Sequence, residues 1–183
     1  MTDRIIPKRR VVSLWFPRFA TDRCQRQLRR RVKRQPGNAA RPEPVLVMAM
    51  PEGGAVRLSA VMLAAQKAGL SPGQTLADAR ALMPDVAVHD GDPDGDSVTL
   101  ERISGWCGRY TPWTAPSGLE TGGAAGLWLD VSGCAHLFGG EAPMLDDMTT
   151  RLAAIGYTAR AGLADTAGAA WAAAQAQCGS TRA

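Results

Sequence analysis

The chain has 183 residues, with 21 Lys or Arg against 17 Asp or Glu and 45% hydrophobic residues. That length can bury one substantial core and a satellite lobe. No apolar run approaches the roughly 20 residues of a membrane-spanning helix, and no signal-type apolar stretch follows residues 1–10, so a soluble cytoplasmic protein is expected.

Charge is unevenly spread. Residues 1–41 hold 13 Lys or Arg and 2 Asp, a net of +11, which leaves 8 basic and 15 acidic residues, a net of −7, for the remainder. Such a basic arm suits either nucleic-acid phosphates or a solvated helix face. The cysteines at 24, 107, 134 and 178 form no CxxC pair, and His89 and His136 do not join them at metal-ligand spacing. Reduced thiols and no Cys/His metal site are expected.

Residues 1–9 lack periodicity and are expected to be a disordered basic N-terminus. Residues 10–16 (RVVSLWF) are too continuously apolar for an exposed edge and predict a central strand. Pro17 ends it. Thr21 is then the expected N-cap of a helix reaching Arg34, with Asp22 in its first turn. Its arginines surround a narrow apolar stripe of Cys24, Leu28 and Val32. After a loop over 35–44, residues 45–50 and 55–58 predict a hairpin turning at 51–54. A helix is expected from Ser59 to Gly69. A second lies over SPGQTLADARALMP, with Leu76, Ala79, Ala81 and Leu82 facing inward and Pro84 as its stop. Residues 86–89 predict a short strand. DGDPDGD reads as a loop without the spacing or closing glutamate of an EF-hand. Residues 97–109 predict a helix with Val98, Ile103 and Trp106 among its apolar positions, and YTPWTAPSGLET an extended segment.

The stretch 126–140, GLWLDVSGCAHLFGG, organises the C-terminal half of the chain. Leu127, Leu129 and Val131 alternate with Trp128, Asp130 and Ser132, as in a central strand with one apolar face. From Glu141, Met144, Leu145, Met148, Leu152 and Ile155 recur at helical spacing up to Gly156. Neither GxxxxGK[ST] nor GxGxxG is present, so the glycines do not form a standard phosphate loop. Residues 157–163 predict another strand, and Asp165-Thr166 starts the helix AGAAWAAAQAQ. Two strand–helix units with an inserted lobe fit an α+β fold with a ferredoxin-like sheet.

LDVSGCAHLFGGE, together with VVSLWFPRF, LAAQKAGLSPGQTLADARALMP, RYTP and GLADTAGAAWA, resembles the Y-family (UmuC/DinB-like) translesion DNA polymerases, within them the ImuB-type non-catalytic branch. The resemblance implies a palm over 10–34 and 86–183, incomplete at its C-terminus, and a fingers-like lobe over 35–85. The thumb and little finger would be absent. Active members end the first strand in D-x-D and carry an Asp-Glu pair before the palm strand. Alignment places Trp15 and Pro17, then Ala125 and Gly126, at those positions. The triphosphate-binding Tyr and Arg of active members correspond to Leu63 and Gln66. Active members use two magnesium ions about 4 Å apart, whose ligands are missing here, so no cofactor is expected. Asp130 is assigned to hydrogen-bonding the turn at Ser132-Gly133, and Glu120 is the other nearby acid.

The resemblance therefore implies a catalytically inactive scaffold in DNA repair and damage-induced mutagenesis. Its expected partners are damaged or primer-template DNA and the proteins of the mutasome. Those are the sliding clamp, an ImuA-type RecA-like protein and an error-prone polymerase subunit, with the clamp-binding region outside this chain. The bacterial cytoplasm, at the nucleoid, is the expected location. Arg29, Arg30, Arg31, Lys33 and Arg34 are the candidate phosphate contacts. Two alternatives stand beside this: an active error-prone polymerase in which Asp22, Glu120 and Asp130 converge, and a truncated palm without independent function.

Overall fold

Val12, Leu14 and Phe16 alternate with Ser13 and Trp15, and this alternation decides which way the central sheet faces. In the computed structural model, which describes residues 9–33, 43–120 and 122–176, two sheets carry the chain. The elements are β1 (Val11–Phe16), α1 (Phe19–Lys33), β2 (Leu46–Glu52), β3 (Ala55–Val61), α2 (Leu63–Lys67), α3 (Leu76–Leu82) and β4 (Ala87–Asp90). They continue with α4 (Pro93–Cys107), β5 (Thr114–Glu120), β6 (Ala124–Asp130), α5 (Glu141–Ala154), β7 (Arg160–Ala164) and α6 (Ala167–Ala176). A 3₁₀ turn, Ala135–Phe138, joins β6 to α5.

The larger sheet has the order β5-β6-β1-β7, antiparallel throughout, which is the ferredoxin-like arrangement. Residues directly opposite each other share a face. Val12, Leu14 and Phe16 therefore align with Leu129, Leu127 and Ala125, and all six are buried. α4 and α5 close this face through Leu100, Ile103, Met144, Met148 and Leu152, with Phe19 and Tyr157 stacked at 5.5 Å. Burying leucines of this kind stabilises by roughly 1.5–3 kcal/mol each. α6 packs on the opposite face. A Cβ on Gly162 of β7 would lie 2.1 Å from the carbonyl oxygen of Ala170, so only glycine permits this approach.

The smaller sheet has the order β3-β2-β4, with β4 parallel to β2. Its core is Val47, Ala49, Leu58, Val61, Ala65, Leu70 and Ala79. The strand expected at 86–89 as part of the larger unit lies instead in this smaller sheet, because Leu46 to Ala49 of β2 offer it a free edge.

Several boundaries differ from expectation. Thr21 is not an N-cap: α1 already runs from Phe19, and the Thr21 hydroxyl donates to the Arg18 carbonyl. The helix expected from Ser59 is strand up to Val61, since Ala60 and Val61 pair with Met48 and Val47, and α2 is only five residues long. Ala81 and Leu82 face solvent, and α3 inserts mainly Ala79. The expected DGDPDGD loop opens α4 instead. Asp92 caps it by accepting from the Gly95 N–H, and Pro93 sits where a missing N–H costs nothing. YTPWTAPSGLET supplies a fourth strand, β5, and β7 starts only at Arg160. Residues 1–8, Arg34, the loop over 35–42 and Cys178 lie outside the described residues.

Candidate functional site

Across the face of the larger sheet that also receives α6 runs one row of partners: Gly118 on β5, Gly126 on β6, Trp15 on β1 and Arg160 on β7. A Cβ on Gly126 would meet the Ser117 hydroxyl at 2.3 Å. The Trp15 indole N–H donates to Glu120 Oε2 at 3.3 Å, and the Arg160 guanidinium lies 5.3 Å from the Trp15 ring centroid. A tryptophan thus stands between a carboxylate and a guanidinium.

Trp15 and Gly126 are neighbours on this face. Ala125 is not with them: it is fully buried on the opposite face, paired with Phe16. Pro17 lies just beyond the end of β1. Leu63 and Gln66 are exposed on α2. None of these six residues lines the cleft between the two sheets.

That cleft measures about 410 Å³ and is not legible in the sequence. Its apolar wall comes from Ala20, Met48, Met50, Leu58, Ala60, Pro72 and Leu119. Its charged groups are Glu52, Asp92, Asp96 and Glu120, and no Lys or Arg is among its lining residues. The floor is tight where the sheets meet. Gly123 has φ +75°, and a Cβ there would sit 2.4 Å from the Ala60 Cβ. Its carbonyl accepts the Ala20 N–H at 3.0 Å.

Arg23 of α1 holds the acidic side of the cleft in place. Its Nε donates to Asp96 Oδ1 at 2.5 Å and its Nη2 to Asp92 Oδ2 at 2.9 Å, with Arg23 and Asp96 both buried. The Gly95 N–H, with Arg23, keeps the Asp92 carboxyl below its ordinary value. The DGDPDGD run is the available sequence signal for these acids. Their convergence with Glu52 and Glu120 depends on how the two sheets meet.

Asp130 fulfils its expected turn role, accepting from the Ser132 hydroxyl at 2.6 Å and the Ser132 N–H at 3.1 Å. Those bonds lower its carboxyl below the ordinary value. Asp22 is buried and accepts the Thr158 N–H at 2.7 Å, while its burial raises its carboxyl. Asp22, Glu120 and Asp130 thus serve three separate places. Among the described residues, no group of three or more His, Cys, Asp or Glu side chains is arranged to hold a metal ion.

Among the described residues, part of the basic arm is engaged within the fold. Arg10 bonds Glu141 and Asp165, each with an oxygen at 2.6 Å. Arg9 approaches Asp130 at 3.7 Å, and Arg26 donates to the Tyr157 hydroxyl at 3.2 Å. Arg29 is paired with Glu43. Arg30 and Arg31 are exposed on α1. Lys33 closes that helix, and its side chain and Arg34 lie outside the described residues.

The impB/mucB/samB family model matches residues 25–175. The chain is 52% identical over 104 residues to the ImuB proteins of two strains of Caulobacter vibrioides, covering 57% of this chain and 22% of theirs. It therefore spans about a fifth of the length of those relatives. Among solved structures, a post-insertion binary complex of Dbh DNA polymerase superposes with a TM-score of 0.69 at 15% identity, over 91% of this chain and 45% of that one. DinB from Sulfolobus solfataricus gives 0.67 at 15% identity, with the same coverage. The fold is that of a Y-family polymerase palm and fingers. Among the described residues, no helix is long and apolar enough to cross a membrane.

Proposed function

Since the chain belongs to the impB/mucB/samB family, we propose that it is a polymerase-like protein of the DNA-damage response that serves as a scaffold without nucleotidyl transfer of its own. The observation that carries this is the row Gly126–Trp15–Arg160. At two of the positions where the Y-family resemblance expects metal-holding carboxylates, Trp15 and Gly126, the sheet presents an indole and a glycine, and the Arg160 guanidinium lies beside that indole.

Two-metal nucleotidyl transfer needs several carboxylate oxygens around one point. The Trp15 and Gly126 side chains offer none, Ala125 is turned into the core, and the nearby Glu120 is engaged by the Trp15 indole. This donor set does not fit a pair of divalent ions. The adjoining cleft supports the same reading, because a triphosphate entering it would meet four carboxylates and no lining cation.

DNA affinity is assigned to the exposed end of α1. Arg30 and Arg31 contact phosphates without reading sequence, and Arg29 joins only by leaving Glu43. From the resemblance to ImuB-type proteins we further propose a place in a mutasome with a sliding clamp, a RecA-like partner and an error-prone polymerase subunit, in the bacterial cytoplasm at the nucleoid; the 52% identity to ImuB over 104 residues supports the resemblance. The test is primer extension with magnesium or manganese in excess. No extension is expected. Extension that follows the protein through purification overturns the scaffold reading, and its loss in Glu120→Gln would identify that carboxylate as part of the active site.

A further inference from the structure

The cleft between the sheets is unsuited to a nucleotide, yet it is a well-formed groove. One wall is apolar, with Met48, Met50 and Leu58 beside Leu119, which is 39% exposed at the mouth. The carboxylates of Glu52 and Glu120 also line it. Asp92 and Asp96 add two more, of which the single charge of Arg23 offsets one. A surplus of three negative charges therefore faces an apolar wall.

The geometry points to a protein partner in this groove: an extended peptide segment that carries arginine or lysine beside apolar residues. A long basic side chain matches both halves of the site. Its aliphatic stem lies along Met50 and Leu119, and its charged head reaches Glu52 and Glu120. Glu120 accepts the Trp15 indole N–H with one oxygen and has its second oxygen for a charge-assisted bond. A volume near 410 Å³ lies within the range of about 300–1,000 Å³ usual for binding pockets. Charge complementarity selects the occupant: the same carboxylates that admit a guanidinium repel a phosphate backbone. This site goes beyond the DNA-binding role assigned to α1 and uses different residues.

The test uses the whole chain and a fluorescein-labelled peptide of alternating arginine and leucine, about nine residues long and so about 30 Å when extended. Binding is followed by anisotropy for the parent chain and for the double variant Glu52→Gln, Glu120→Gln. The Glu120→Gln change keeps a carbonyl acceptor for the Trp15 N–H, so an unchanged melting curve is expected. The expected result is a loss of affinity of about tenfold or more, near 1.4 kcal/mol. Equal affinity of parent and variant overturns the proposal. So does displacement of the peptide by equimolar spermidine, which makes the groove a small-cation site, or direct binding of a labelled single-stranded oligonucleotide that the Glu52→Gln, Glu120→Gln variant loses, which makes it a nucleic-acid site. The pair Arg30→Glu, Arg31→Glu separates the two roles: it removes the proposed DNA contacts and leaves peptide binding unchanged.

Discussion

Asp22 and Asp130 are the same side chain in opposite circumstances, and pH acts on them with opposite sign. Two hydrogen bonds from Ser132 lower the Asp130 carboxyl, so its contribution to stability is complete above the ordinary carboxylate value near 3.9 and is lost as pH falls through its folded value. Asp130→Asn is expected to lower the melting temperature at pH 7, with the gap to the parent closing below about pH 4. Burial raises the Asp22 carboxyl, so the folded state binds its proton longer and loses stability as pH rises through that window. Asp22→Asn, which still accepts the Thr158 N–H, should raise the melting temperature at pH 7 and make no difference in acid; melting curves from pH 3 to 8 check both. Cysteines differ in the same way. Burial pushes the Cys107 thiol up to about 12, whereas Cys134 is only half-buried. In the folded protein at pH 8, iodoacetamide should modify Cys134 and leave Cys107 intact by peptide mass mapping.

At the level of elements, two contacts hold the architecture. α6 lies against β7 only because residue 162 has no side chain: a Cβ there would be 2.1 Å from the Ala170 carbonyl and 2.4 Å from the Ala174 nitrogen. Both are helix backbone and cannot rotate away. Gly162→Ala is expected to cost about 1–3 kcal/mol or more by pushing the helix off the sheet, measured by urea unfolding. α1 is tied to α4 by the buried Arg23–Asp96 pair, with Asp92 as a second acceptor. Arg23→Ala strands a buried carboxylate and should cost about 3–5 kcal/mol, whereas Arg23→Met with Asp96→Leu should recover much of that loss. The difference between the two variants separates the worth of the ion pair from the cost of breaking it.

For the molecule as a whole, the charge imbalance of the sequence overstates what is left for a ligand. Arg9, Arg10, Arg23 and Arg29 spend their charge on Asp130, Glu141, Asp165, Asp92, Asp96 and Glu43. These arginines of the basic arm are internal counterparts of the acidic body. Arg30→Glu with Arg31→Glu should therefore weaken binding to any DNA sequence alike and reduce the slope of log affinity against log salt by about 2, seen in filter-binding series across salt. A variant that leaves the slope unchanged would remove α1 from the DNA interface.

Local rules determined much of this protein from the sequence. Alternation marks β1 and β6 as central strands, helical spacing places Met144, Met148 and Leu152 in the core, and the carboxylate at 130 bonds its own turn at Ser132. These depend on period and neighbouring residues, which the chain carries everywhere. Where long-range pairing competes with local propensity, the sequence misleads. Residues 59–61 look helical but find a strand edge on β2, and Ala87–Asp90 joins whichever sheet offers a parallel neighbour. The site divides the same way. Which residues stand at Trp15 and Gly126 is readable, but the guanidinium of Arg160 beside them is not, since 145 residues separate it from Trp15 and only the β1–β7 register joins them. The acidic cleft belongs wholly to the tertiary structure: its carboxylates come from β2, α4 with its cap, and β5, and they converge only because Gly123 lets the two sheets close on each other.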